Sequence, residues 1–189
     1  FEFVYKNIKN DVHLNSISGG TDVVGCLVLG NIFSNVYAGE IQGESLGIDV
    51  DIFNEKGESV GANHKGELVI KNPFPTIPIK FWNDMNNKKL KKAYFSKYKN
   101  VWYHGDFIQK TQNGGFIMLG RSDTTLNPGG VRMGTAEIYR QVENIEFVRE
   151  SLAVGQNWKD DVRIILFVVM KTKKKLGVEE INFIKDKIK

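Results

Sequence analysis

Along the first two-thirds of the chain the apolar positions recur mostly with the period of a strand. Ile48, Val50 and Ile52 alternate with Asp49 and Asp51, the pattern of a half-buried strand. Residues 67–71 (ELVIK) read as a second strand, with a turn at 54–57 (NEKG) before it. Residues 107–111 and 116–119 flank QNGG, a strong hairpin signal. The short apolar run at 23–29 fits a buried strand or a short helix, and periodicity does not separate the two. Residues 1–20 read as a strand or turn running into a polar stretch that ends Ser18-Gly19-Gly20. Pro73, Pro75 and Pro78 fix φ in close succession and predict an extended surface segment.

After Gly120 the pattern changes. Thr135 is the expected N-cap of a helix, with Glu137 in the first turn, where the helix dipole favours a carboxylate. Ile138, Val142 and Ile145 follow at helical spacing. Residues 148–155 and 162–170 read as strands; the second is nearly all apolar and is expected to be central. Residues 179–188 form an amphipathic pattern with Ile181, Ile184 and Ile188 on one face. The whole reads as α+β: a β-rich part at 1–121, then a small β-β-α-β-β-α part at 122–189.

Composition narrows the class. The chain has 189 residues, 41% of them hydrophobic, enough for a sizeable core. Its formal net charge of +4 comes largely from the lysine runs at 88–92 and 171–175. Such runs read as solvated faces, with a phosphate-rich partner as the alternative. A nucleic-acid reading finds no zinc spacing, RNP motif or basic heptad region to support it. A single cysteine, Cys26, excludes an intramolecular disulfide and fits a reducing, cytoplasmic setting. Beside Leu27 and Val28 it reads as a buried small residue rather than a nucleophile. The longest apolar run, 164–170, is too short to span a bilayer. The N-terminal stretch FEFVYKNIKN shows no signal-peptide pattern and no initiating Met, so a processed chain or a piece of a longer one is expected.

Four short clusters could carry chemistry, and each also has an ordinary structural reading. In Gly19-Gly20-Thr21-Asp22, two glycines admit close backbone approach to a ligand, Thr can bond a phosphate oxygen and Asp can hold Mg²⁺; the alternative is a plain Asx or ST turn. In Trp102-Tyr103-His104-Gly105-Asp106, a carboxylate at a strand end suits a ribose diol; the alternative is an Asp in a tight turn, with His104 a packed or surface side chain. In Gly120-Arg121-Ser122-Asp123, the guanidinium offers a rigid fork of donors, or simply pairs with Asp123. In 127–132 (NPGGVR), glycines leave room for a narrow ligand and Arg132 could meet phosphate; the alternative is a hairpin turn between strands at 122–126 and 131–133. Glu40, Glu44 and Glu67 show no paired spacing and read as exposed strand residues.

Taken in order, with the wording SISGGTD, VYAGEIQ, KGELVIKNPFPTIPIKFWND, YHGDF and GRSDTTLNPGGVRMGTAEIYRQVE, these clusters resemble the acyl-adenylate-forming ligases, and within them the acetoacetate–CoA ligase branch. The resemblance covers nearly the whole chain. It implies that 1–121 is the end of a large adenylation domain with a distorted β-barrel region, and 122–189 an incomplete mobile C-terminal domain. It implies ATP, Mg²⁺, acetoacetate and CoA as reactants or cofactors, and a two-step reaction through an acyl-adenylate. By the same resemblance Gly20 and Thr21 bind the nucleotide, with Thr21 at the α-phosphate, Asp22 holds the metal, Asp106 and Arg121 meet the ribose, and Thr21 and Arg132 are the catalytic residues. Asp123 is the hinge, Gly130 lines the pantetheine tunnel, and Arg132 lies near nucleotide phosphate or CoA. Asp22 stands where most of the superfamily has Glu, which shortens the metal contact by one methylene. The family's phosphate loop and C-terminal catalytic lysine have no counterpart here, so the chain alone is expected not to complete adenylation. An acetate or other short-acid ligase, a non-catalytic AMP-binding remnant and a basic nucleic-acid-binding domain remain the alternatives.

Overall fold

The computed structural model describes residues 1–130, 133–159, 161–172 and 175–188. The chain divides into two compact units, Phe1–Met118 and Leu119–Lys189.

The first unit opens with a short helix, α1 (Glu2–Asn7), where a strand or turn was expected. Its charges explain the choice: Glu2 lies in the first turn and Lys6 in the last, each at the end the dipole favours and four residues apart. Then β1 (Ser18–Gly20), β2 (Gly25–Leu29) and β3 (Gly43–Glu44) make an antiparallel sheet in that order. The ambiguous apolar run is therefore largely a strand, and Cys26 lies on it, half-buried.

A second sheet runs β4 (Val50–Phe53), β5 (Lys65–Ile70), β6 (Trp102–Lys110) and β7 (Phe116–Arg121) in chain order. Among the described residues the strands close no barrel. The alternation in β4 is real: Val50 and Ile52 are buried and pair with Ile70 and Leu68 of β5. Strand β5 lies between β4 and β6 and is buried from Gly66 to Ile70. That burial includes Glu67, which is 0% exposed, whereas an exposed strand residue was expected. The reason is Lys97, thirty residues on, whose Nζ donates to Glu67 Oε1 at 2.6 Å and lies 4.6 Å from the Tyr103 ring centre.

Between β5 and β6 comes α2 (Lys88–Tyr94), the KKLKK run, which buries Leu90 and leaves its lysines in solvent. Asp84 starts it: its carboxylate accepts the N–H groups of Lys89 and Leu90 at 2.8 and 2.9 Å. Desolvation pushes that carboxyl upward, but those N–H bonds and the charge of Lys89 outweigh it and hold it below the usual range.

In the second unit α3 (Thr135–Val142) and α4 (Val178–Ile188) pack with the hairpin β8 (Val148–Trp158) and β9 (Asp161–Met170). Ile138, Val142, Val148, Ala153 and Ile184 form the core, as the helical spacing predicts. Three expectations change. Gly134, not Thr135, is the N-cap of α3: its N–H donates to the Glu137 carboxylate at 3.0 Å, and a Cβ there would lie 2.2 Å from the Leu119 carbonyl oxygen. Strand β9 is not central; among the described residues it pairs only with β8, so Ile164, Leu166 and Val168 meet the helices while Phe167, 57% exposed, faces outward. Where a strand at 122–126 was expected there is a 3-10 turn at Ser122–Thr124, followed by another at Pro128–Gly130; an antiparallel bridge joins Leu126 to Met133, and the rest of the expected strand at 131–133 lies outside the described residues.

Candidate functional site

The Gly19–Asp22 cluster and the Trp102–Asp106 cluster, about eighty residues apart in sequence, meet in the first unit. Strand β6 brings them together through an irregularity. Glu67 of β5 pairs with Phe107 and Val69 with Tyr103, so two steps on β5 face four on β6. His104, Gly105 and Asp106 thus stand opposite the single residue Leu68, and Gly105 takes φ +85°, where a Cβ would be strained. A bulge re-aims side chains locally; here it accompanies the placement of His104 against β1, with Asp106 beside that histidine.

Both side chains are buried, His104 at 7% and Asp106 at 6% exposure. His104 Nε2 lies 3.2 Å from the carbonyl oxygen of Gly19 and 3.7 Å from Asp106 Oδ2. Its Nδ1 accepts the indole N–H of Trp102 at 3.2 Å. The Trp102 ring stacks on Tyr94 of α2, centroids 3.7 Å apart. The Tyr94 hydroxyl donates to the carboxylate of Asp22. A continuous run of contacts thus joins Asp22, Tyr94, Trp102, His104 and Asp106. Thr21 and Asp22 themselves are exposed, and the Thr21 carbonyl accepts the Val24 N–H at 3.2 Å to close the turn.

An exposed hydroxyl and carboxylate therefore stand just beyond β1, whose Gly19 carbonyl lies 3.2 Å from His104 Nε2, on the strand that carries the buried Asp106 carboxylate. Oxygen donors of this kind suit phosphate and a hard cation. Among the described residues no three His, Cys, Asp or Glu gather as a metal cluster. A cation such as Mg²⁺ keeps waters and substrate oxygens and needs only one or two carboxylates. Asp22 fits that requirement as a single oxygen ligand.

The remaining expected residues lie in the second unit. Arg121 ends β7 with its Nε 3.7 Å from Asp123 Oδ1, so the ion pair foreseen as an alternative is present, in solvent. Asp123 is in the 3-10 turn Ser122–Thr124. Gly130 ends the turn Pro128–Gly130, and the preceding Gly129, at φ +57°, donates its N–H to the Asp161 carboxylate at 3.0 and 3.1 Å. Arg132 lies outside the described residues. Neither Glu40 nor Glu44 forms an acid–base pair: Glu40 accepts from Thr111 and Asn113, and Glu44 meets Lys110 at 3.4 Å.

Sequence reasoning passed over Tyr94 and the bonding role of His104. The spacing of Trp102 and His104, two apart on a strand, was the available signal for the second. Nothing local signals Tyr94, whose partner is 72 residues away.

No protein-family model matches the chain. Curated relatives do. An acetoacetyl-coenzyme A synthetase of Rhizobium meliloti (strain 1021) is 56% identical over 168 residues, 89% of this chain and 26% of that protein. The chain is similar, over most of its own length, to a segment of an acetoacetyl-CoA synthetase. The synthetase of Xenopus tropicalis is 48% identical over 191 aligned positions, covering 100% of this chain and 28% of that protein. The chain therefore spans about a quarter of the length of the relatives it matches. Among solved structures, the acetoacetyl-CoA synthetase of Streptomyces lividans superposes with a TM-score of 0.83 at 38% identity, over 92% of this chain and 26% of that one. The α+β fold is thus that of a segment of the adenylate-forming enzymes.

Proposed function

We propose that this chain is the nucleotide-binding and hinge segment of an AMP-forming acetoacetate–CoA ligase. The observation that carries the reading is the joining of the Gly19–Asp22 turn to Asp106 through His104, in a chain similar to a segment of an acetoacetyl-CoA synthetase. In the proposed reaction the acetoacetate carboxylate attacks the α-phosphorus of ATP and expels diphosphate. The CoA thiolate then attacks the acyl-adenylate carbonyl and expels AMP. Residues 1–121 are the end of the adenylation domain and 122–189 part of the mobile domain.

Thr21, exposed beyond Gly20, donates its hydroxyl to an α-phosphate oxygen. Asp106 accepts the two ribose hydroxyls; a buried carboxylate pre-oriented by its neighbours loses little on binding them. Arg121 adds donors to the ribose oxygens. Asp22 would hold Mg²⁺, which when bound with ATP neutralises charge on the phosphates. Asp123 is the pivot, and Gly130 and Arg132 meet CoA after the mobile domain has turned. We place the reaction in the cytoplasm, in keeping with a single cysteine; no described helix is long and apolar enough to cross a membrane.

Asp106→Ala tests the ribose assignment. ATP affinity measured by calorimetry is expected to fall about 10- to 100-fold, the effect of losing charge-assisted hydrogen bonds. Unchanged affinity would remove Asp106 from the site.

A further inference from the structure

We propose that His104 is a positioning residue: as the Nε2–H tautomer it ties the Gly19 carbonyl, and with it the Thr21–Asp22 turn, to the strand that carries Asp106. The inference rests on the ligase reading and assigns a role to a side chain that the reaction itself does not require.

The tautomer follows from the partners. An indole N–H can only donate. Trp102 Nε1 lies 3.2 Å from His104 Nδ1, so Nδ1 presents its lone pair. A neutral imidazole carries one N–H, which must then be on Nε2. That nitrogen is 3.2 Å from the Gly19 carbonyl oxygen, an acceptor. The ring thus has one nitrogen fixed by β6 itself and the other committed to β1. A doubly protonated ring would set two donors against each other at Trp102.

The glycines corroborate the latch. A Cβ on Gly20 would lie 2.8 Å from His104 Cε1 and 3.2 Å from Nε2. The backbone of the turn therefore lies directly against the imidazole, whose Nδ1 accepts the Trp102 indole N–H. A Cβ on Gly19 would lie 2.0 Å from the Gly25 carbonyl oxygen, so the opposite side of the turn is pressed against β2. One imidazole accordingly sets the offset between Thr21, on the phosphate side, and Asp106, on the ribose side. A histidine that merely fills space would satisfy packing with any ring or branched side chain and would not need a donor at Nε2.

The experiment compares the wild type with His104→Leu, which removes the donor, and His104→Gln, which keeps an N–H near the Nε2 position. Mg-ATP affinity is measured by calorimetry, and acetoacetate-dependent ATP–diphosphate exchange gives KM for each substrate. In parallel, ¹⁵N resonances of the imidazole report its tautomer. The expected result is an Nε2–H tautomer. His104→Leu should weaken ATP about 10- to 100-fold, as for one lost buried hydrogen bond that leaves a carbonyl unpaired. KM for acetoacetate should stay within about twofold, and His104→Gln should recover most of the ATP affinity. Three results would overturn the inference: an Nδ1–H tautomer, ATP affinity of His104→Leu equal to wild type, or equal damage from Leu and Gln accompanied by an equal fall in melting temperature. A wild type that binds ATP in a His104-dependent way, yet exchanges diphosphate with no acid, would overturn the ligase reading and leave the latch standing.

Discussion

Lys97→Met removes the cation from a carboxylate closed off from solvent. Glu67 is 0% exposed and its Oε1 sits 2.6 Å from Lys97 Nζ, while the Lys97 side chain keeps 32% exposure. At that separation the direct attraction is about 6 kcal/mol for an effective dielectric of about 20. Desolvation of both ions offsets most of it, so the pair itself contributes little net stability. Removing only the lysine is different, because the carboxylate stays buried, and the expected loss is about 3–5 kcal/mol. The double variant Glu67→Leu/Lys97→Met discards the charge with its partner and should lie within about 2 kcal/mol of wild type. Urea unfolding of the wild type, both single variants and the double variant gives the coupling energy directly. The pair borders the site: Glu67 pairs with Phe107, one residue beyond Asp106, and Lys97 follows the helix that carries Tyr94. Lys97→Met should therefore also weaken ATP binding. A single variant as stable as wild type, or a double variant as unstable as Lys97→Met, would refute the argument.

Gly20→Ala should weaken ATP binding by about tenfold or more with little change in the KM for acetoacetate, because its methyl would meet a ring held on both sides; calorimetry reads the effect. Asp123→Pro should spare adenylate formation and block thioester formation, as expected of a stiffened hinge, and equal slowing of the two half-reactions would refute the assignment. The Asp51–Lys71 pair, 3.0 Å apart, gives stability a defined pH window. Burial acts to raise the Asp51 carboxyl, but the Ile52 N–H, Lys71 and Ser59 together hold it below 3.8, so its contribution is complete above that value and is lost as pH falls through the lowered folded value. The Asp51 carboxylate raises Lys71 above 10.5, so its contribution is complete below that value and is lost as pH rises through the raised one. Melting temperatures of Asp51→Asn against wild type should therefore differ most between those limits and converge outside them.

Local patterns carried most of the fold. The alternation of Val50 and Ile52, the QNGG turn and the spacing of Ile138 and Val142 each encode a structure set by neighbours within a few residues. What escaped was set by distant partners. Glu67 looks like any strand glutamate until Lys97 arrives from thirty positions away. Strand β9 looks central because its outward Phe167 and Val169 are as apolar as its inward residues. The start of α3 was misplaced by one residue because close contact with Leu119 requires Gly134, which outweighs the capping preference of Thr135. At the site, the residue types at Thr21, Asp22 and Asp106 were legible as chemistry, and the whole stretch resembled the acyl-adenylate-forming ligases. Their meeting was not legible, since it depends on the bulge in β6 and on a histidine whose partners lie 2 and 85 residues away.

The central claim is that this segment serves the activation of acetoacetate by ATP. The most direct test is ATP–diphosphate exchange in the protein that carries this segment, with acetoacetate, acetate or no acid. The account predicts exchange that depends on acetoacetate, is several-fold weaker with acetate, and is lost in Asp106→Ala. Exchange that prefers acetate, or ATP binding without exchange for any acid, would contradict it.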